Sequence, residues 1–237
     1  MNNKATSKHI FATRKLPESA AGKLFKAGFN LDQFDFIKVE TKYDESSFLK
    51  QLNNPDSQAR IFTSKNAVRA LAELLSKNPL ELAKKKNFTV GIKATEQLAK
   101  LGIVSIVRSD NAMILAQIIA RNADVKVVDF FCGDQALDDL PEYLRTKNIS
   151  VHQEIVYHTQ MVHEKISSEL FDGLIFLSPS AVYSFFKKNR INSNIPTFCI
   201  GATTADAVRR RCDNPRILAH QPSLDGVIER VIEYFQE

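Results

Sequence analysis

The chain has 237 residues, 44% hydrophobic and 25% charged, which fits a globular protein of one large or two smaller domains; no run approaches the roughly 18 apolar residues of a membrane span. Lys and Arg total 32 against 27 Asp and Glu, a surplus of five that is small and dispersed; without tryptophan or a basic–aromatic stripe it excludes a nucleic-acid platform and suits a small anionic substrate. Three cysteines (Cys132, Cys199, Cys212) with no C-x-x-C spacing argue against a disulfide framework or structural zinc, and with a polar start they place the expected protein in the cytoplasm.

Short runs rich in Ile, Val and Phe alternate with segments of helical period, the pattern of strands feeding helices in a parallel sheet. In chain order, strands are predicted over 9–13, 36–39, 60–63, 88–91, 104–107, 126–131, 151–157, 173–177, 197–200 and 216–219. Between them, stretches such as 67–76 and 181–188 space apolar residues at i, i+3 and i+4, the stripe that a helix lays against a sheet.

Parts of this series recur. Phe62-Thr-Ser-Lys-Asn-Ala-Val68 resembles Phe176-Leu-Ser-Pro-Ser-Ala-Val182, an offset of 114 (176 − 62). Val90-Gly-Ile-Lys-Ala-Thr-Glu96 resembles Ile200-Gly-Ala-Thr-Thr-Ala-Asp206, an offset of 110 (200 − 90). Two similar offsets in the same order mean a duplicated unit. Each copy wants one more strand–helix–strand piece, supplied by 9–39 in one and 127–157 in the other. The expected fold is therefore α/β: two parallel-sheet domains, with 44–154 inserted into an outer domain of 1–36 and 162–237. Extended segments at 37–43 and 155–161 would form a two-stranded linker with a cleft beside it.

The chemistry of such a layout gathers where strands end and helices begin, because the first turn of a helix offers free N–H groups and partial positive charge. Here those turns are rich in hydroxyls: Thr63-Ser64, Ser178-Pro179-Ser180, and Thr203-Thr204 after Gly201, with Asp206 at a near capping-box spacing. Thr13-Arg14 ends the first strand, and Asp138-Asp139 reads as an exposed helix start. A Ser or Thr at one helix start is first of all a cap, stabilising by about 1 kcal/mol. Matched turns in two domains add a binding reading to that. The five histidines show no metal-ligand spacing; His152, Glu154 and His158 on one strand face read as a solvated surface, and Gly133 and Gly201 as lone turn glycines.

With these residues in view, the sequence resembles the uroporphyrinogen-III synthase family. The resemblance rests on FTSKNAVRAL, VGIKATEQL, the Gly133 strand–turn–helix followed by IVYHT, LIFLSPSAVYSFF, CIGATTADAV and QPSLDGVIERV, in the family's order and over nearly the whole chain. It implies two flavodoxin-like domains and a cofactor-free, metal-free lyase of tetrapyrrole biosynthesis; a monomer is the default expectation. The substrate would be hydroxymethylbilane, four linked pyrroles with eight carboxylates, closed to uroporphyrinogen III with loss of water and inversion of the last ring. Residue by residue, Tyr157 matches the tyrosine implicated in loss of the hydroxyl group. Arg14, Thr63, Ser64, Ser178, Ser180, Thr203 and Thr204 match substrate-binding positions. One departure is visible: where the family often has Thr directly after the Lys of the VG-x-K turn, this chain has Ala94 and then Thr95. A non-catalytic protein binding a tetrapyrrole or other polycarboxylate would use the same turns. A response-regulator-like domain would want acidic residues where these strands end in Thr, Ser and Gly.

Overall fold

The computed structural model describes residues 7–79, 81–167 and 171–236. Strand and helix alternate along it, and the chain divides into two units, Met1–Lys38 with Gln160–Glu237, and Val39–Thr159. Both crossings fall within strands, β3 (Ile37–Thr41) and β8 (Ser150–Met161). These two are neighbours at a sheet edge. Val162 N–H donates to the Phe36 carbonyl and Lys42 N–H to that of Val156, so the pair runs antiparallel.

In the first unit a five-stranded sheet has the order β11–β10–β9–β1–β2, formed by β1 (His9–Ala12), β2 (Asn30–Gln33), β9 (Gly173–Phe176), β10 (Thr197–Cys199) and β11 (Arg216–Leu218). Every pairing in it is parallel. Side chains alternate between its faces. Ile10, Ala12, Ile175 and Phe198 pack with Leu24 of α1 (Glu18–Lys26) and Val227, Ile228 and Val231 of α9 (Leu224–Gln236). Phe11, Leu174, Phe176 and Cys199 face Val182 and Phe185 of α7 (Pro179–Lys188) and Val208 of α8 (Ala202–Arg209).

The second unit has the order β3–β8–β7–β4–β5–β6, with β4 (Ala59–Phe62), β5 (Lys86–Val90), β6 (Val107–Ser109) and β7 (Val127–Gly133). Phe62, Phe131 and Val156 pack under α2 (Glu45–Leu52), α3 (Lys65–Lys77) and α4 (Ile92–Lys100). Ile61, Phe88, Val128 and Phe130 pack under α5 (Ala112–Ala120) and α6 (Asp139–Thr146). The orders β11–β10–β9–β1–β2 and β6–β5–β4–β7–β8 match part for part, and the two sequence repeats fall on β4-α3 with β9-α7 and on β5-α4 with β10-α8.

Three elements differ from the sequence reading. The strand closing the first strand–helix–strand piece is β2, whose polar residues Asn30, Asp32 and Gln33 give no apolar run because it lies at the sheet edge. The 36–39 run, expected to close that piece, leads into β3, which pairs with β8 where the sequence reading put two extended segments side by side. β6 begins at Val107 rather than at 104; Val104 and Ile106 lie in the preceding turn, 73% and 51% exposed. The Asp206 capping box is also absent: Gly201 is the N-cap of α8 without a side-chain bond, and Asp206 pairs with Arg209 and Arg210 at 2.6 and 2.8 Å.

One row of the second sheet is polar. Register places Asn87, Arg60, Asp129 and His152 side by side across β5, β4, β7 and β8. Arg60 and Asp129 are 2% and 0% exposed. Asp129 accepts from Lys85 Nζ at 2.9 Å, Gln51 Nε2 at 2.5 Å and Asn54 Nδ2 at 3.3 Å, which ties the end of α2 to the sheet. Arg60 donates to the Leu52 and Ala83 carbonyls at 2.9 and 3.1 Å. Removing one member of a buried, bonded ion pair strands the other charge. Asp129→Ala is therefore expected to lower unfolding free energy by about 3–5 kcal/mol in denaturant titration. Asp225→Ala, at an exposed pair with Lys23, should leave the midpoint close to wild type.

Candidate active site at the carboxyl ends of the strands

In the first unit, β1, β9 and β10 are adjacent and parallel, so the turns leaving them lie along one edge. At the end of β1, Thr13 is buried, and both its hydroxyl and its N–H donate to the Ile175 carbonyl, fixing where Arg14 leaves the strand. Arg14 is exposed and has no ion pair among the described residues. Ser178, after β9, is the N-cap of α7; its Oγ accepts from Ala181 N–H at 3.2 Å. Pro179 occupies the first turn, and half-buried Ser180 follows. After β10, Thr203 is exposed, whereas Thr204 is 1% exposed in the buried face of α8. Among the described residues, the backbone N–H groups of Ser180, Ala202 and Thr203 have no partner within the protein. Such groups at a helix start are donors for an anion.

In the second unit, Thr63 and Ser64 follow β4, half-buried. Ser64 is the N-cap of α3, its Oγ accepting from Asn66 N–H at 3.1 Å. A serine that caps through a lone pair still has its hydroxyl proton to offer. β7 lies next to β4, with β8 beyond it, and there the register breaks. Cys132 pairs with Ile155 but Gly133 pairs with Tyr157, leaving Val156 as the extra residue of a bulge. A bulge re-aims the side chains that follow it. Val156 is buried in the core under α2, α3 and α4, and the Tyr157 ring packs against that same cluster, half-buried. The ring lies where a side chain on Gly133 would be: a methyl there would overlap Cε2, Cζ and Oη. Gly133 is thus a seat for Tyr157, not the turn glycine expected from the sequence. The turn after it pins the backbone on both sides of the tyrosine. Asp134 N–H donates to the Tyr157 carbonyl at 3.1 Å, and Thr159 N–H to Asp134 Oδ1 at 2.9 Å. Nδ1 of His158 lies 3.4 Å from Asp134 Oδ2. The Tyr157 hydroxyl has no hydrogen-bond partner among the described residues.

The remaining candidates are occupied elsewhere. Thr95, shifted by one from the family position, bonds to the Thr89 hydroxyl at 2.7 Å and donates to the Gly91 carbonyl at 3.2 Å, while Ala94 is buried. No ligand-facing hydroxyl results at that turn. Burial raises the thiol pKa of Cys132 and Cys212 and pushes that of Cys199 up to about 12, so none is poised as a nucleophile. Among the described residues no group of three or more His, Cys, Asp or Glu side chains is placed to hold a metal ion.

The profile of the family described as uroporphyrinogen-III synthase HemD matches residues 18–229. The chain belongs to the uroporphyrinogen-III synthase family. Solved structures agree on the fold. A mutant uroporphyrinogen III synthase from the extremely thermophilic bacterium Thermus thermophilus aligns with a TM-score of 0.67 at 19% identity, covering 97% of this chain and 99% of that one. The Helicobacter pylori enzyme aligns with a TM-score of 0.67 at 18% identity, covering 97% and 100%. No curated protein sequence matches the chain significantly. Every residue singled out at these turns except Thr13 and Arg14 falls within the span matched by the uroporphyrinogen-III synthase profile.

The close approach of Tyr157 to Gly133 makes a direct test. Gly133→Ala must displace the tyrosine, because a methyl there overlaps two ring carbons and the hydroxyl oxygen. A thermal melt of this variant should drop by several degrees, and the tyrosine environment should change in near-ultraviolet circular dichroism. A variant matching the native melt and spectrum would show that the ring does not rest on Gly133.

Proposed function

We infer that the chain catalyses the reaction of its family, closing hydroxymethylbilane to uroporphyrinogen III with loss of water and inversion of the last pyrrole. It is thus a cyclising lyase of heme biosynthesis. The observation that carries this reading is the family match across residues 18–229. No observation favours the non-catalytic tetrapyrrole binder.

The strand-end turns suit a polycarboxylate. Thr63, Ser64, Ser178, Ser180 and Thr203 offer hydroxyl donors beside helix starts whose N–H groups and dipoles favour negative charge. Arg14 adds a full charge at the end of β1, and Thr204 anchors the first turn of α8 from its buried side. In the proposed chemistry the Tyr157 phenol gives its proton to the substrate's hydroxyl as the carbon–oxygen bond breaks, and water departs. The resulting cationic methylene carbon is attacked by the terminal pyrrole, and the ring inverts through a spiro intermediate. The proton lost when that pyrrole regains aromaticity returns to the phenolate, so the net change is loss of one water. The reading is supported by a phenol that is fixed by Gly133 and Asp134 yet has no partner for its hydroxyl. We further propose that the protein acts as a cytoplasmic monomer; among the described residues no helix is long and apolar enough to cross a membrane.

With hydroxymethylbilane supplied, oxidised products should be mainly the type III porphyrin. Tyr157→Phe keeps the ring but removes the donor, so kcat should fall by about 100-fold with KM little changed. Near-native turnover and isomer purity would assign the acid elsewhere. Thr63→Ala and Ser178→Ala should cost less, since many contacts share the substrate. Ser178→Ala should also lose about 1 kcal/mol of stability with its cap.

Salt separates charge recognition from apolar recognition. Partly exposed charges are screened as the Debye length shortens, to about 3 Å at 1 M. KM should rise steadily with ionic strength while kcat holds, and a flat KM would mean that the substrate is held through its pyrroles.

A further inference from the structure

The second unit contains a cavity that the ring-closing reaction does not use. It lies at the opposite, amino-terminal side of β4 and β5, has a volume of about 460 Å³, and is lined by Arg60, Asn87, Lys84 and Lys85 together with apolar side chains. Its size is within the range of small-molecule sites.

Three features of the lining point to a ligand. Arg60 is 2% exposed and has no carboxylate bonded to it; its Nε and Nη2 donate to main-chain carbonyls, while Nη1 has no partner among the described residues. Burial lowers its pKa, the cost of a cation taken from water, and Asp129 offsets part of it. That one carboxylate is already bonded to Lys85, and no acidic side chain lines the cavity. Asn87 is 6% exposed; its Nδ2 donates to the Lys85 and Val104 carbonyls, and its Oδ1 is buried with no donor. An acceptor left so is costly unless a partner supplies the bond. The rim is apolar and open: Val104 is 73% and Ile106 51% exposed, beside Leu75, Leu82 and Ile103 in the wall. An apolar patch edged by cations marks a binding surface.

We propose that this cavity is a second ligand site, separate from the strand-end turns, for a small amphipathic carboxylic acid that also carries a hydroxyl or amide donor. The carboxylate meets Arg60 Nη1, with Lys84 at the rim; the donor serves Asn87 Oδ1; the apolar body covers Val104, Ile106 and Ile103. A cation is refused by the surrounding charge, and a purely apolar ligand leaves Asn87 Oδ1 unpaired and takes water from Arg60 without replacing it.

The test uses 4-hydroxyphenylacetate as the probe on the whole chain, by calorimetry and thermal shift. Binding should saturate with Kd below about 1 mM, attainable for a ligand of this size. The neutral 2-(4-hydroxyphenyl)ethanol and the donorless phenylacetate should each bind about 10-fold more weakly, since the first forgoes the charge-assisted bond to Arg60 and the second leaves Asn87 Oδ1 unpaired. Val104→Trp closes the mouth at an exposed position, so it should keep the native melt and the native ring-closing rate while losing the probe. Absence of saturable binding below about 10 mM would overturn the site. So would equal affinity for the neutral alcohol, or unchanged binding in Val104→Trp, which would put the acid at the strand-end turns.

Discussion

Because nearly all neighbouring strands run parallel, each must return through a helix, and every such helix then starts at the same edge of its sheet. Hydrogen-bond direction thus decides where chemistry can gather. The carboxyl ends of β1, β9 and β10 collect Arg14, Ser178, Ser180 and Thr203 although these lie far apart in sequence. The ends of β4 and β7 do the same for Thr63, Ser64 and the seat of Tyr157. A duplicated unit repeats the edge, with Ser64 and Ser178 as equivalent caps and Gly91 and Gly201 as equivalent N-caps. Gly91 has φ +76°, a conformation that favours glycine; Gly201, at φ −174°, is extended backbone that any residue adopts.

The two ends of the second sheet serve opposite purposes. At the carboxyl end a bulge and a missing side chain let an aromatic ring lie across β7, at the expense of regular pairing. At the other, a row of buried polar groups fastens α2 and the 83–85 segment to β4 and β7 through Arg60, Asp129 and Lys85. Desolvating those charges is expensive, and the geometry offsets the cost by giving Asp129 three donors. Such a row specifies register, since a slip of one residue would turn Arg60 and Asp129 into the apolar face beneath α5 and α6.

Periodicity made most of the fold legible because buried parallel strands read as apolar runs. Phe176, Ile175 and Leu174 mark β9 without any structural knowledge. It failed where burial is one-sided or absent: edge strand β2 carries Asn30, Asp32 and Gln33, and exposed Val104 and Ile106 imitate a strand. At the site, Ser64 and Ser178 were legible as caps because capping is local. The seating of Tyr157 was not, because it depends on a register break between residues 24 apart, Gly133 and Tyr157. The one available signal was a glycine directly after Phe130-Phe131-Cys132, where a strand still has neighbours to pack. Arg60 and Asp129 gave none, since an isolated charge within an apolar run reads equally as the outward face of a strand.

The proposed chemistry also constrains what must not lie near Tyr157. Once the hydroxyl has left, the substrate carries an electrophilic methylene carbon, and a thiolate close by would trap it irreversibly. Cys132 directly precedes Gly133, yet it is 1% exposed and its thiol pKa is raised by burial and by Asp138, Glu154 and Asp134. Gln153 Nε2 donates to Sγ at 3.4 Å and pulls the other way, but more weakly than desolvation. Nucleophilicity belongs to the thiolate, so raising the pKa and removing access act together. Cys199, in the first unit's sheet, is held the same way at about 12. On that proposal the strand-end edges offer oxygen and nitrogen donors to the substrate's carboxylates, while the Cys132 and Cys199 thiols stay buried.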